Sequence, residues 1–426
     1  MRVMQRIRQN SLVHALTHLE GNARACVLTE PLWGIPANLY APFVSLYMSA
    51  LGLSDPMIGL VGTVFLVSQV FFSLLGGVLA DKMGRRKCTF YMDLFAWSIP
   101  VLLWAFARDQ WWFLVAAVFN GMFRITANSW TLLLVEDEEE HMLVKLFALV
   151  SIAGALSAAA VLPAFPLVKH FGLVPSVRGM YIFACVSMTA KFVILLFMSR
   201  ETSLGHRRMA ETKDISLGRM MLNNLKLLKN LLGTKQILLT IGLMACFNGA
   251  KSLTDTFWPL FVTEKTAILE ENLALYAAAR SGVMIICYFL LVPRVSLMRF
   301  KHPAILCFGA LILAKVVLVI MPENTLWLLW LNIVLEALAL SLLSPLTESL
   351  QMVCLDSEGR AALLSLFQAV VLLLTAPLSY LGGLLSAVNR ALPMLLAVLF
   401  CALAMWLTYR IWQERRATKG TAQGAV

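Results

Sequence analysis

The chain has 426 residues, 60% of them hydrophobic and 14% charged, against roughly 45 to 50% apolar and about 25% charged in soluble domains. A helical crossing takes about 20 apolar residues, so a dozen crossings would absorb nearly all of this apolar stock and leave little for a soluble core. A soluble enzyme is excluded, and the formal charge of +11 is not a nucleic-acid footprint, because the basic residues sit between apolar runs rather than on one solvated face.

The first 25 residues carry Arg2, Arg6, Arg8 and Arg24 without a short apolar core and cleavage site, so the first span is expected to act as its own insertion signal. Apolar runs follow at 31–54, 56–80, 88–107, 110–135, 146–168 and 179–199, and after a hydrophilic connection at 236–263, 272–293, 303–322, 324–347, 361–389 and 391–409. The runs 31–54, 56–80, 146–168, 361–389 and 391–409 contain no Asp, Glu, Lys or Arg. All twelve are expected to be α-helical, since a span must satisfy its backbone polar groups internally and none shows the alternation of barrel strands. The expected fold is an all-α polytopic membrane protein of two six-helix bundles, 26–199 and 236–413. A cytoplasmic segment at 1–25 precedes them, a cytoplasmic loop at 200–235 joins them, and a cytoplasmic tail at 414–426 follows.

With the amino terminus in the cytoplasm, about 25 of the 35 Lys and Arg fall on the inner side. They include Lys82, Arg85, Arg86 and Lys87 after the second span and Arg294, Arg299 and Lys301 after the eighth. In the central loop Leu217, Met220, Met221, Leu225 and Leu228 recur at helical spacing beside Arg219, Lys226 and Lys229, the pattern of a helix on the inner membrane surface. Cys26, Cys88, Cys185, Cys246, Cys287, Cys307, Cys354 and Cys401 are scattered singly, without metal-ligand spacing, and read as packing residues. The halves echo each other as parallel repeats would: Tyr40 to Val44 is similar to Trp258 to Val262, and Leu146 to Val150 to Leu366 to Val370, at offsets of 217 and 220.

Between the second and third spans stands the run Gly76 to Lys87, GGVLADKMGRRK. Gly76 and Gly77 permit a close helix neighbour, Gly84 a tight reversal, and Asp81 can cap the next helix. Arg85 and Arg86 face inner-side carboxylates, either Glu136 to Glu140 after span four or Asp356 and Glu358 after span ten. Ion pairs that form only when this side is closed would bias alternating access; the plainer alternative is that the basic residues only set topology. Here the sequence resembles the major facilitator superfamily, whose signature in this loop is G-x-L-a-D-[RK]-x-G-R-[RK]. Gly77, Leu79, Ala80, Asp81, Lys82, Gly84, Arg85 and Arg86 match it, whereas the loop after span eight, 293–302, keeps only its basic character. The resemblance implies a central cavity ringed by spans one, four, seven and ten, with spans three, six and nine at the periphery.

Charges at mid-membrane depth carry the functional signal. Arg124, Lys251, Asp255, Arg280 and Glu336 lie near the middles of spans four, seven, eight and ten. Each unpaired charge there costs roughly 2.5 to 3.5 kcal/mol, so the five must pair or line water. Asn120, Arg124 and Asn128 recur on one face of span four, and Asn248, Lys251 and Asp255 on one face of span seven, which implies a shared cavity. Span one adds Glu30, Trp33, Gly34 and Asn38, and span ten Ser344. On the peripheral spans, Asp93, Lys191 and Lys315 are expected to pair with each other or snorkel, with Asp93 and Lys191 matched in depth.

For Arg124 the alternatives are a cavity role and a structural buried pair. Lys251 and Asp255 either serve the cavity or satisfy each other. Glu336 either carries a coupling proton or is a fixed partner of Arg280 or Arg124. Arg124 also resembles the span-four arginine of proton-coupled drug antiporters, but the glycine they carry four positions later is Asn128 here, and span five lacks their G-x-x-x-G-P-x-x-G-G pattern.

No phosphate-binding loop or zinc-protease motif is present. The expectation is therefore a secondary transporter in the plasma membrane, both termini cytoplasmic, that moves a small-molecule substrate by alternating access. It would need no cofactor beyond a coupling proton, contact lipids and no nucleic acid, and work as a monomer. The alternative is a membrane sensor or assembly factor on the same scaffold without net flux.

Overall fold

The apolar runs wind into helices in the computed structural model, which describes residues 19–138, 146, 149, 150, 153, 154, 156–226, 232–266, 268–290, 300–322, 325–354 and 360–423. In the first half these are α1 (Gly21–Tyr40), α2 (Val44–Ala50), α3 (Asp55–Met83), α4 (Arg85–Asp93), α5 (Ile99–Ala105), α6 (Gln110–Gly121), α7 (Phe123–Val135), α8 (Ala164–Phe171) and α9 (Leu173–Met198). The connection carries α10 (Ser203–Thr212) and α11 (Leu217–Lys226). The second half carries α12 (Lys235–Thr266), α13 (Leu273–Leu290), α14 (Lys301–Ile320), α15 (Leu326–Cys354), α16 (Arg360–Val388) and α17 (Leu392–Gln423). Among the described residues there is no strand, and eight helices are long and apolar enough to cross a bilayer.

Local chemistry sets the boundaries. Pro56 sits in the first turn of α3, where a missing N–H costs nothing. The Asp109 side chain caps α6 by accepting from the Trp111 N–H at 2.9 Å, and the Thr202 hydroxyl caps α10 by accepting from the Gly205 N–H at 2.9 Å. Pro42 lacks a donor, and the end of span one tightens into a short 3-10 turn over Ala41–Phe43. Span four is broken at Met122, between α6 and α7.

Helices also outrun the apolar stretches that predict them. α1 begins at Gly21, inside the segment assigned to the amino-terminal arm, and α17 continues to Gln423, into the tail assigned to 414–426. Charged side chains are tolerated where a helix leaves the hydrocarbon, so the change from apolar to polar composition does not end the helix. Within the stretch expected to form a surface helix stands α11, which packs against α3 of one half and α16 of the other while Leu222 stays exposed; Leu228 and Lys229 lie outside the described residues.

Within the first half α1 packs on α9 and α3 on α6 and α7, and within the second α12 packs on α17 and α14 on α15. The halves meet chiefly along α3 and α16. That pairing is antiparallel and needs glycine: a Cβ on Gly59 would stand 2.3 Å from the Ser379 carbonyl oxygen, and one on Gly383 2.4 Å from the Asp55 carbonyl oxygen. Midway along, the Thr63 hydroxyl donates to the Ala376 carbonyl at 2.8 Å and accepts from the Tyr380 N–H at 3.0 Å. Leu74 of α3 joins a second-half cluster of Ile241, Met244, Phe367 and Val371. From residue 55 to residue 74 this seam runs about 28 Å at 1.5 Å per residue.

Candidate functional site

Two helices carry the polar stripe of the second half, α12 with Lys251 and Asp255 and α15 with Asn332 and Glu336. Between the halves lies a cavity of about 570 Å³. The first half lines it with Asn38, Ala41, Pro42, Ala158 and Val161, and the second with Lys251, Asp255, Trp258, Tyr276, Arg280, Glu336 and Ser344 among others.

The charges that line it join a fifth, Lys315 behind the wall, in one connected row. The Lys315 ammonium on α14 donates to Glu336 at 2.6 Å, and the Arg280 guanidinium on α13 lies 3.1 Å from the other Glu336 oxygen and 3.6 Å from Asp255. Lys251 is 3.6 Å from Asp255. Lys315 and Glu336 are buried, so removal of one partner strands the other, at a cost of roughly 3 to 5 kcal/mol. Lys251 and Asp255 are nearly half exposed and loosely held. Of the two roles open to Glu336, the geometry is that of a fixed partner, with Lys315 as a second cation beside Arg280.

In the first half Arg124 donates through Nε to the Gln69 Oε1 at 2.9 Å, and among the described residues it has no carboxylate in ion-pair range. Asn120 donates to the Ala96 carbonyl on span three at 2.7 Å, and so is spent on packing. The Asn128 amide lies against Gly76, whose added Cβ would stand 3.2 Å from it. Glu30 accepts from Lys191 on α9 at 2.8 Å, with the ammonium also over the Trp33 and Trp130 rings.

Of the ten residues expected at the cavity, Asn38, Lys251, Asp255, Arg280 and Glu336 line it, whereas Glu30, Asn120, Arg124, Asn128 and Asn248 are not among its lining residues. Arg124 and Asn128 share α7, and Met122 keeps helical dihedrals between them and Asn120; the three differ in their partners, Ala96 for Asn120, Gln69 for Arg124 and Gly76 beside Asn128. The expected pairing among peripheral spans is also corrected: Lys191 takes Glu30 rather than Asp93, and Lys315 takes Glu336.

The two halves place polar pairs at equivalent points. The Asn332 amide donates to the Ala314 carbonyl on α14 at 2.8 Å, as Asn120 does to Ala96 on span three. One turn further stand Glu336 and Arg124, each bonded to the second helix of its own half, through Arg280 and Gln69. The offsets are 212 (332 minus 120), 212 (336 minus 124) and 211 (280 minus 69). The repeat is visible in hydrogen bonding where the sequence shows it only faintly.

The loop between α3 and α4 is stapled within the first half. Arg85 is buried and forks onto Glu136, with Nε and Nη2 each at 2.9 Å from a carboxylate oxygen, and lies 3.1 Å from Asp81. Arg86 donates to the Leu196 carbonyl at 2.9 and 2.6 Å. Gly84 adopts φ +80 and stands itself at the cap of α4, so Asp81 does not cap that helix; it pairs with Arg85 and, at 3.6 Å, with Arg208. Gly77 has nothing within 4 Å of an added Cβ, so of the two glycines only Gly76 is in close helix contact. Asp356, Glu358 and the acidic residues at 139 and 140 lie outside the described residues. Glu201 was not singled out in the sequence, yet it accepts from the N–H groups of Arg85 and Arg86 at 2.7 and 3.1 Å, a carboxylate at a helix amino terminus. Its signal is its position just past the apolar run that forms α9.

The far end of the α3–α16 seam carries another group that the sequence reading passed over. Asp55 pairs with Arg390 and accepts from the Ser386 hydroxyl at 2.5 Å, and Arg390 donates to Glu264 at 2.7 Å. Burial works against the Arg390 charge, but Glu264 and Asp55 outweigh it and raise its pKa above the ordinary value. Both halves are tied at this end, opposite to the loop at 81–87.

Comparison with known proteins agrees with this architecture. The sequence pattern described as Major Facilitator Superfamily matches residues 34–314. The multi-drug resistance efflux pump PmrA of Streptococcus pneumoniae is 29% identical over 106 residues, 24% of this chain and 26% of the pump. The quinolone resistance protein NorA of Staphylococcus aureus is 31% identical over 85 residues, 20% of this chain and 22% of that protein. The match thus spans about a quarter of the length of these curated relatives. Among solved structures, a variant of the nucleoside transporter NupG superposes with a TM-score of 0.68 at 15% identity, covering 92% of this chain and 99% of that one. The peptide transporter POT in complex with sulfate gives 0.67 at 13%, covering 93% and 94%. The human organic anion transporter MFSD10 gives 0.64 at 15%, covering 91% and 99%. At these identities the likeness concerns the fold.

Proposed function

Because this chain belongs to the major facilitator superfamily, we propose that it is a secondary active transporter which moves a small solute across the plasma membrane by alternating access. The observation that carries the reading is the cavity walled by both halves, with charged side chains at the mid-length of its helices. Intramembrane ionisable groups that border a cavity mark solute or ion pathways. In this reading the chain crosses the bilayer twelve times with both termini in the cytoplasm, acts as a monomer and needs no cofactor. The Asp55–Arg390 tie then closes the outer end, and the loop at 81–87 lies on the inner side.

A proton is the proposed drive, and Asp255 rather than Glu336 is its carrier. Glu336 is buried and clamped by two cations, whereas Asp255 is nearly half exposed with its cations 3.6 Å away, and is the carboxylate open to the cavity. The relatives named as efflux and resistance proteins favour outward movement of the solute.

The test is solute movement in sealed proteoliposomes that enclose a pH-sensitive dye. Solute-dependent proton flux in the wild-type protein, lost in Asp255→Asn while solute exchange persists, is the expected result. Solute binding without flux under any gradient would favour the sensor or assembly-factor role instead.

A further inference from the structure

The charge pattern of the cavity points to a small organic anion as its solute, with the Lys251 ammonium as receptor for the anionic group. This inference rests on the transport reading and deepens it. The charged side chains form an alternating row, Lys315, Glu336, Arg280, Asp255, Lys251, in which each carboxylate stands between two cations. The row therefore ends in a cation on both sides. At one end Lys315 is buried against Glu336 at 2.6 Å and is closed off. At the other end Lys251 is 47% exposed, lines the cavity, and lies 3.6 Å from a carboxylate that it shares with Arg280.

Of the row, Lys251, Arg280, Asp255 and Glu336 line the cavity and balance one another, and the buried Lys315 behind Glu336 leaves the row as a whole with one positive charge in excess. Among the described residues the opposing wall does not supply the balance, since the first half lines the cavity with Asn38, Ala41, Pro42, Ala158 and Val161, none of them ionisable. The next position of the row is thus the cavity itself. A carboxylate, sulfonate or phosphate placed there continues the alternation and meets a cation that is only loosely held, whereas an ammonium group meets Lys251 as a like charge and finds the exposed carboxylate, Asp255, already shared between two cations. The walls beside the row are Trp258, Tyr276 and Met284, which suit an apolar or aromatic body rather than a sugar or a bare inorganic ion.

The test uses the full chain with Ser344→Cys or, separately, Ser281→Cys as reporter on the cavity wall, and the chain without an added cysteine as background. Reaction rates are measured with an anionic thiosulfonate, the ethylsulfonate, and a cationic one, the trimethylammonium, each relative to a free thiol in solution. The expected anionic-to-cationic rate ratio is roughly three- to tenfold above that of the free thiol. Lys251→Gln is expected to bring it back towards the free-thiol value, and Lys251→Arg to keep it, which separates charge from folding. A wild-type ratio at or below the free-thiol value, or one that Lys251→Gln leaves unchanged, overturns the inference. A high, Lys251-dependent ratio without solute flux in proteoliposomes leaves the anion receptor standing and sinks transport. Flux of cations with a low ratio sinks the anion assignment alone, and reporters inert to both reagents overturn both.

Discussion

In the proposed transport cycle the tie between Asp55 and Arg390 holds one end of the molecule closed, and its strength follows from burial. The Asp55 side chain is 9% exposed and that of Arg390 26%, so the pair lies between exposed ion pairs, worth at most about 1 kcal/mol, and buried ones, whose rupture costs roughly 3 to 5 kcal/mol. A value of about 2 kcal/mol suits that position and corresponds to a factor of about 30 in an equilibrium. Glu264 is 64% exposed, so its share is no more than about 0.5 kcal/mol. Asp55→Asn is therefore expected to shift the balance between closed and open forms of this end about 30-fold towards open, Arg390→Ala by a similar factor, and Glu264→Gln by about twofold. The double variant should open the end no further than either single, because both remove one interaction. Spin labels at Ala50→Cys, exposed at the end of α2, and at Ala387→Cys, exposed at the end of α16, report this as a longer component in the distance distribution. A distribution that neither Asp55→Asn nor Arg390→Ala moves would refute the assignment of this contact as the tie between halves.

Three further outcomes follow from the same geometry. Glu336→Gln leaves the buried Lys315 without its carboxylate and should lower stability by roughly 3 to 5 kcal/mol, read as a drop in thermal unfolding temperature in detergent; the apolar pair Glu336→Leu with Lys315→Met should recover most of it. Gly383→Ala puts a Cβ 2.4 Å from the Asp55 carbonyl oxygen, a backbone atom that cannot step aside, so the same spin-label pair should show α16 displaced from α3; a shift no larger than in a variant at exposed Leu384 would contradict this. Glu201→Gln removes a charge from the amino terminus of α4 and should cost about 1 kcal/mol of stability, with an effect that shrinks at high salt.

Much of the fold was legible in the sequence, and the reason is local. The 31–54 and 361–389 runs announce helices by length and composition because a span in lipid satisfies its backbone within its own segment. The depth of Lys251, Asp255, Arg280 and Glu336 is legible for the same reason, since it counts residues from the end of a run. The partners of these charges were less legible. Lys191 meets Glu30 and Lys315 meets Glu336 because of how α9 turns towards α1 and α14 towards α15, and a pattern along one helix carries no information on the rotation of its neighbour. Asn120 and Arg124 were assigned to the cavity by spacing alone, and their partners on neighbouring helices, Ala96 and Gln69, are what the spacing cannot show.

The sequence by itself determined that the chain is a helical membrane protein, where polar groups lie along its helices, and that the loop at 76–87 resembles a superfamily signature. Only the tertiary structure decided that Arg85 closes onto Glu136, that Asp55, Glu264 and Arg390 meet from three separate parts of the chain, and that the cavity charges end in an open Lys251. The division has one cause. Insertion into lipid is judged segment by segment, whereas the pairing of side chains depends on the angle and register at which different segments come together.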